Sequence, residues 1–214
     1  MGRPHAEDAR AALSEDARTR FEARYESRPP WDIDGPQPAF VELFRMGLIR
    51  GQVLDIGCGT GENALFLAAQ ELETWGIDLV SAAIGQARAK ARARGLPAVR
   101  FLVADALALG ELGMTFDTVL DSGLFHALSD PERPFFLQSL GAVLRPGGLY
   151  HLLCFSDREP GTEGPRRVSQ AEIRATFRSG WRVLRIDEAR FLDRLHEGGA
   201  RAWRASLERV RGGY

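Results

Sequence analysis

Val53-Leu54-Asp55-Ile56-Gly57-Cys58-Gly59-Thr60-Gly61 is the stretch on which the fold turns. An apolar run holding one acid enters three closely spaced glycines, and a helix is expected at 62–70 directly after them. Glycines in such a strand-turn-helix let the backbone approach a ligand at a helix N-terminus. The spacing is Gly-x-Gly-x-Gly rather than the dinucleotide pattern Gly-x-Gly-x-x-Gly. Asp55, two residues before the first glycine, disfavours a pyrophosphate there and favours a ligand with an ammonium or other cationic group.

Working outward from this stretch, strand and helix patterns alternate. Strands are expected at 52–57, 73–78, 99–105, 115–121, 147–155 and 181–187. Helices are expected at 38–50, at 81–94 with Ser81 as N-cap, and from Pro131 or Pro134 to Leu144. A further helix should start at the Ser169-x-x-Glu172 capping box. In the tail, Trp203, Ala205 and Leu207 alternate with Arg204, Ser206 and Glu208. That period of two predicts a half-buried strand at 202–210, antiparallel to the strand before it. The expected fold class is α/β, a Rossmann-like doubly wound sheet of seven strands, mostly parallel with an antiparallel C-terminal hairpin. One domain over 1–214 is expected. Within it, residues 1–38 supply an N-terminal lid helix (5–26) and a proline-rich segment, and 39–214 the core.

Three successive strands each end in an acid: Asp55 next to the glycine loop, then Asp78, then Asp105. Open α/β sheets bind ligands at this carboxyl edge, where an acid at the position of Asp78 accepts from ribose hydroxyls. Asp105 is placed to accept from an exocyclic adenine amine. A cationic end, a ribose and an adenine together describe S-adenosylmethionine (SAM).

The motifs VLDIGCGTGENALFLA, GIDLVSAAI, FLVADAL, FDTVLDSGLFH and LRPGG resemble those of the class I SAM-dependent methyltransferases, over about residues 27–192. The resemblance implies that Gly57, Gly59, Gly61 and the Asp55 region hold the methionine part. It implies that Asp78 with Leu79 holds the ribose, Asp105 with Ala106 the adenine, and Asp121 or Ser122 the neighbourhood of the sulfonium. PPWDIDGPQP is similar to the PWD segment of the thiol, thiopurine and halide methyltransferase branch. There this tract closes over the cofactor, and Trp31 matches its tryptophan. Asp34 precedes Gly35 where relatives carry glycine at once, so the loop path departs locally. The expected cofactor is SAM, with S-adenosylhomocysteine (SAH) as product. The expected acceptor is a small molecule methylated on sulfur, oxygen or nitrogen, such as a thiol, phenol or heterocycle.

His126, five residues beyond the fourth strand, is the best placed general base, the alternative being a histidine that fixes its loop. Asp121 is the other catalytic candidate, as a carboxylate balancing the sulfonium. Trp31, Phe125 and Phe155 are candidate aromatic walls for a cation. The loop 156–168 offers Arg158, Arg166 and Arg167 to an anionic acceptor. His151, Cys58 and Cys154 read as core or filler residues.

Composition excludes several classes. The 28 basic residues, all arginine but Lys90, meet 29 acids for a formal net charge of −1. Nucleic-acid binders usually show a basic excess, so none is expected as partner. Two cysteines and four scattered histidines make neither a disulfide framework nor a zinc site, and no metal is expected. No apolar run approaches the ~18 residues of a membrane helix and no apolar segment opens the chain, so a cytoplasmic protein without membrane attachment is expected. The rival readings are a SAM-dependent methyltransferase acting on a macromolecule and a non-catalytic SAM-binding protein. A nicotinamide oxidoreductase lacks its glycine spacing here.

Overall fold

The computed structural model describes residues 6–210. Helix α1 (Ala6–Glu22) runs into a short 3-10 turn and the proline-rich segment, which leads to α2 (Pro38–Arg45). Then follow β1 (Val53–Ile56), α3 (Glu62–Ala68), β2 (Thr74–Asp78), α4 (Ser81–Ala93), β3 (Arg100–Val103) and β4 (Phe116–Ser122). The chain continues through α5 (Glu132–Val143), β5 (Leu144–Phe155), α6 (Gln170–Thr176), β6 (Trp181–Phe191) and β7 (Ala200–Arg209).

The strands form one sheet in the order β3-β2-β1-β4-β5-β7-β6. Neighbours from β3 to β5 pair in parallel, and β7 lies antiparallel between β5 and β6. The seven-stranded, mostly parallel sheet with its antiparallel C-terminal hairpin is the fold the alternation predicted. β1 and most of β2 are buried on both faces, as parallel strands covered by helices must be. Leu54, Ile56, Phe125, Phe136, Tyr150 and Phe177 pack on one side of the sheet, and Phe40, Leu43, Val53, Leu120, Leu153 and Phe191 on the other.

Three details differ from the sequence reading. α2 stops at Arg45, not near 50, because Gly47 takes a left-handed φ of +71° and the Leu48 N–H returns to the Leu43 carbonyl. Ser81 opens α4 but does not cap it; Val80 is the cap residue, and its N–H is held by the Asp78 carboxylate at 2.9 Å. β7 is interior rather than half-buried, since its polar face has its own partners. Arg204 reaches Glu42 and Asp187, and Ser206 meets His151. Ser169 caps α6 as expected, accepting from the Glu172 N–H at 3.0 Å.

The topology sets the ligand edge. β5 ends at Phe155 opposite Ala202, near the start of β7, and β6 ends at Phe191 opposite Ala200. Phe191 therefore arrives at the same edge as the glycine loop. Among the described residues no helix is long and apolar enough to cross a membrane.

Candidate active site

The glycine loop forms as its spacing demands: Gly57, Gly59 and Gly61 take φ of +62°, +55° and +89°. It is pinned to β2 from two points. The Cys58 N–H donates to the Ile77 carbonyl at 2.8 Å, and the Gly59 N–H to Asp78 Oδ2 at 2.9 Å. Each Asp78 oxygen thus holds one backbone amide and keeps a lone pair for a further donor. Burial pushes its carboxyl above the ordinary range, against the pull of those amides.

Asp55 and Asp121 lie behind the loop on the adjacent strands β1 and β4, both fully buried. Neither Asp55 oxygen has a hydrogen-bond partner of good geometry among the described residues. Burial, then the charge of Asp121, lifts its pKa to about 8, with the Ala64 amide opposing. Asp121 accepts from the Leu124 and Phe125 amides and, at 2.7 Å, from the Tyr150 hydroxyl, yet burial still raises it to about 7. The register pairs Asp55 with Leu120 and Asp121 with Ile56, so the two acids point to opposite faces of the sheet. Asp55 is the under-compensated one, and an orphaned buried carboxyl behind the glycine loop fits a cationic ligand there.

In front of the loop the proline-rich segment forms a strap. Asp32 accepts from the Thr60 hydroxyl at 2.5 Å, and Lys90 donates to Thr60 and Glu62. Gln37 receives an amide from Leu192 and returns one to its carbonyl, while its own N–H donates to the Asn63 side chain. Between strap and loop lies a narrow crevice of about 50 Å³ lined by Trp31, Ile33, Gly57, Gly59, Ser122 and Phe191, among others.

Beyond Gly59 the edge is covered by the N-terminal region. Ser14 of α1 donates to Asp105 Oδ2 at 2.5 Å, and the Leu107 amide occupies Oδ1. The Tyr25 hydroxyl stands 3.0 Å from where a Cβ on Gly59 would lie and accepts from Trp31 Nε1 at 3.3 Å. Burial, then Asp78, pushes its phenol well above the ordinary range.

Of the residues singled out in the sequence, Trp31, Gly57, Gly59 and Ser122 line the crevice itself. Asp55 and Asp121 sit behind it, and Asp78 and Asp105 sit at the covered end; Gly61 caps α3, while Leu79 and Ala106 are partly buried beside their acids. Phe125 belongs to the core, against Phe136 and Phe177. His151 is a satisfied core histidine between Ser206 and the Leu48 carbonyl. None of the three loop arginines is free: Arg158 pairs with Glu188, Arg166 with Asp130 and Glu172, and Arg167 donates to four carbonyls of its own loop. Asp32, Thr60, Ser14, Tyr25 and Phe191 are the site residues the sequence reading missed. Asp32 had a signal, standing next to Trp31 in the PWD run.

Residues 53–148 match the family model described as a methyltransferase domain. The chain is 34% identical, over 94% of both chains, to the 2-heptyl-1-hydroxyquinolin-4(1H)-one methyltransferase of Mycobacteroides abscessus. It is 28% identical to a probable thiol methyltransferase of Arabidopsis thaliana, over 75% of this chain and 72% of that one. A structure from work on conversion of a disulfide bond into a thioacetal group during echinomycin biosynthesis superposes with a TM-score of 0.80. It is 37% identical over 90% of this chain and 91% of that one. With the glycine loop, the acids at the strand ends and these relatives in agreement, the chain belongs to the SAM-dependent methyltransferases.

Proposed function

We propose that the chain methylates a sulfur, oxygen or nitrogen atom of a small acceptor seated between Trp31, Ser122 and Phe191. The observation that carries this is the crevice, which has the glycine loop on one side and the aromatic side chains of Trp31 and Phe191 among its other walls. The relatives' names support a small acceptor, since one is named for a hydroxyquinolone and another for thiols.

SAM, when bound, supplies a methyl group already activated by the neighbouring sulfonium. Asp78 would accept from its ribose hydroxyls, Asp105 would face the adenine, and Asp55 and Asp121 would stabilise the cationic end. The chain's remaining work is to orient the acceptor within ~3–3.5 Å of the methyl carbon and to exclude water. The strap carries out the exclusion through Asp32 and Gln37, which tie it to the loop and to Leu192.

The test is SAH binding by calorimetry, followed by labelled SAM with thiols, phenols, heterocycles and RNA. Binding with transfer to one of the small acceptors is expected. Equal transfer to RNA would sink the small-acceptor reading.

A further inference from the structure

His126 sits on a 3-10 turn, Phe125–Ala127, between the ligand edge and the aromatic wall. Its Nδ1 accepts the backbone N–H of Phe155 at 2.9 Å. A ring protonated on both nitrogens would set an N–H against that N–H, so the anchored form is neutral with its proton on Nε2. Phe155 meets the ring edge-on at 5.1 Å between centroids, and Phe191 packs on it at 5.6 Å, which removes its freedom to turn over.

The free end of the ring has its own space. Nε2 makes no hydrogen bond among the described residues. It lies 3.1 Å from the point that a Cβ on Gly123 would take, as does the edge of Phe191. Gly123, with φ at +86°, thus leaves the Nε2–H uncovered next to Ser122 and Phe191, two residues that line the crevice.

We propose that His126 is a fixed hydrogen-bond donor to the acceptor's oxygen or sulfur, selecting acids that enter already ionised rather than ionising them as a base. The inference rests on the methyl-transfer reading and narrows its acceptor to O–H and S–H acids ionised near neutral pH. The acceptor anion's electron pair forms the bond to the methyl carbon, the carbon–sulfur bond breaks, and its pair stays on sulfur. No proton moves, and the Nε2 proton remains on His126 throughout. Burial, with the guanidinium of Arg167 second, depresses the imidazole pKa to about 3, which leaves it little basicity at neutral pH. A donor aimed at an anion also lowers that anion's own pKa.

The experiment uses the full chain with SAH and 4-nitrophenol, whose ionised form absorbs at longer wavelength. The bound probe's pKa should fall by about one unit relative to the free probe. H126N keeps an acceptor for the Phe155 amide but has no distal donor, and it should abolish the shift. H126Q places an amide N–H near the Nε2 position and should keep part of it. In turnover with SAM, the pH at which kcat/KM breaks should track the acidity of each phenol or thiol in a graded series. A probe that binds unshifted or fails to bind, or a break fixed at one pH for all acceptors, overturns the proposal while leaving methyl transfer intact. Failure of SAH to bind by calorimetry would instead remove the reading beneath it.

Discussion

Asp32 Oδ1 accepts a hydrogen bond from the Thr60 hydroxyl at 2.5 Å, joining the proline-rich strap to the glycine loop between Gly59 and Gly61. The carboxylate is only 9% exposed, with Lys90 at 3.6 Å and Arg28 at 3.2 Å. Hydrogen bonds to a charged partner contribute ~1.5–3 kcal/mol. D32A should therefore raise the KM for SAM about tenfold or more while leaving kcat within a few fold. Limited proteolysis should cut the variant between residues 28 and 37 faster than the wild type. An unchanged KM and an unchanged digestion pattern would show that the strap closes without this bond.

The glycine loop and the three strand-end acids could be read from the sequence because strand, turn and helix are adjacent in the chain, so local pattern determines them. The Asp32–Thr60 bond spans 28 residues and the Ser14–Asp105 bond 91, and no local pattern encodes either. Phe191 reaches the site only because β7 inserts between β5 and β6, a pairing order that periodicity does not reveal. The alternation at 202–208 gave the right strand but the wrong solvent exposure, since Glu42 and Asp187 lie far from Arg204 in sequence. His126 was found as a residue, but its tautomer depends on an amide 29 positions away.

Ser14 and Asp105 should respond in opposite directions. The Ser14 hydroxyl occupies the Asp105 oxygen that an exocyclic adenine amine would use. S14A removes that competitor and should leave SAH affinity unchanged or tighter, while speeding amide exchange in α1. D105A removes the acceptor itself and should weaken SAH binding about tenfold, on the scale of ~1–2 kcal/mol for one buried hydrogen bond. Calorimetry decides: equal weakening by both variants would mean that α1 itself, not Asp105, carries the affinity.

Arg167 should matter to the acceptor rather than to SAM. Its guanidinium donates to the carbonyls of Glu159, Pro160, Glu163 and Pro165 and lies 5.2 Å over the Phe155 ring. A planar fork can span several acceptors, whereas an ammonium is a single point donor. R167A and R167K should both accelerate amide exchange across 157–168 and raise the acceptor KM severalfold at constant SAM KM. Wild-type activity in R167K with slow exchange would assign the clamp to charge alone.

Asp55 is the residue where stability and binding should oppose each other. Its pKa rises from 3.8 to about 8 on folding, with burial first and Asp121 second. A raised carboxyl means that the folded state binds the proton more tightly than the unfolded chain. Stability therefore declines as pH climbs from about 4 towards about 8 and levels off above that, because each step deprotonates more of the unfolded state than of the folded one. D55N is neutral throughout and should flatten this part of the profile, so that the ligand-free variant withstands more urea than wild type at pH 8 and loses the advantage near pH 4. The same change should weaken SAM, since the cation loses a nearby carboxyl, and should reduce proton release on binding, leaving what the raised Asp78 and Asp121 carboxyls contribute. Calorimetry in two buffers of different ionisation enthalpy reads that release directly. Asp121 shifts in the same direction, but its bonds to Leu124, Phe125 and Tyr150 make an Asn variant lose structure as well as charge. A D55N chain less stable than wild type at pH 8 would mean that Asp55 is already ionised and paired in the folded protein, and that it holds its charge without the ligand.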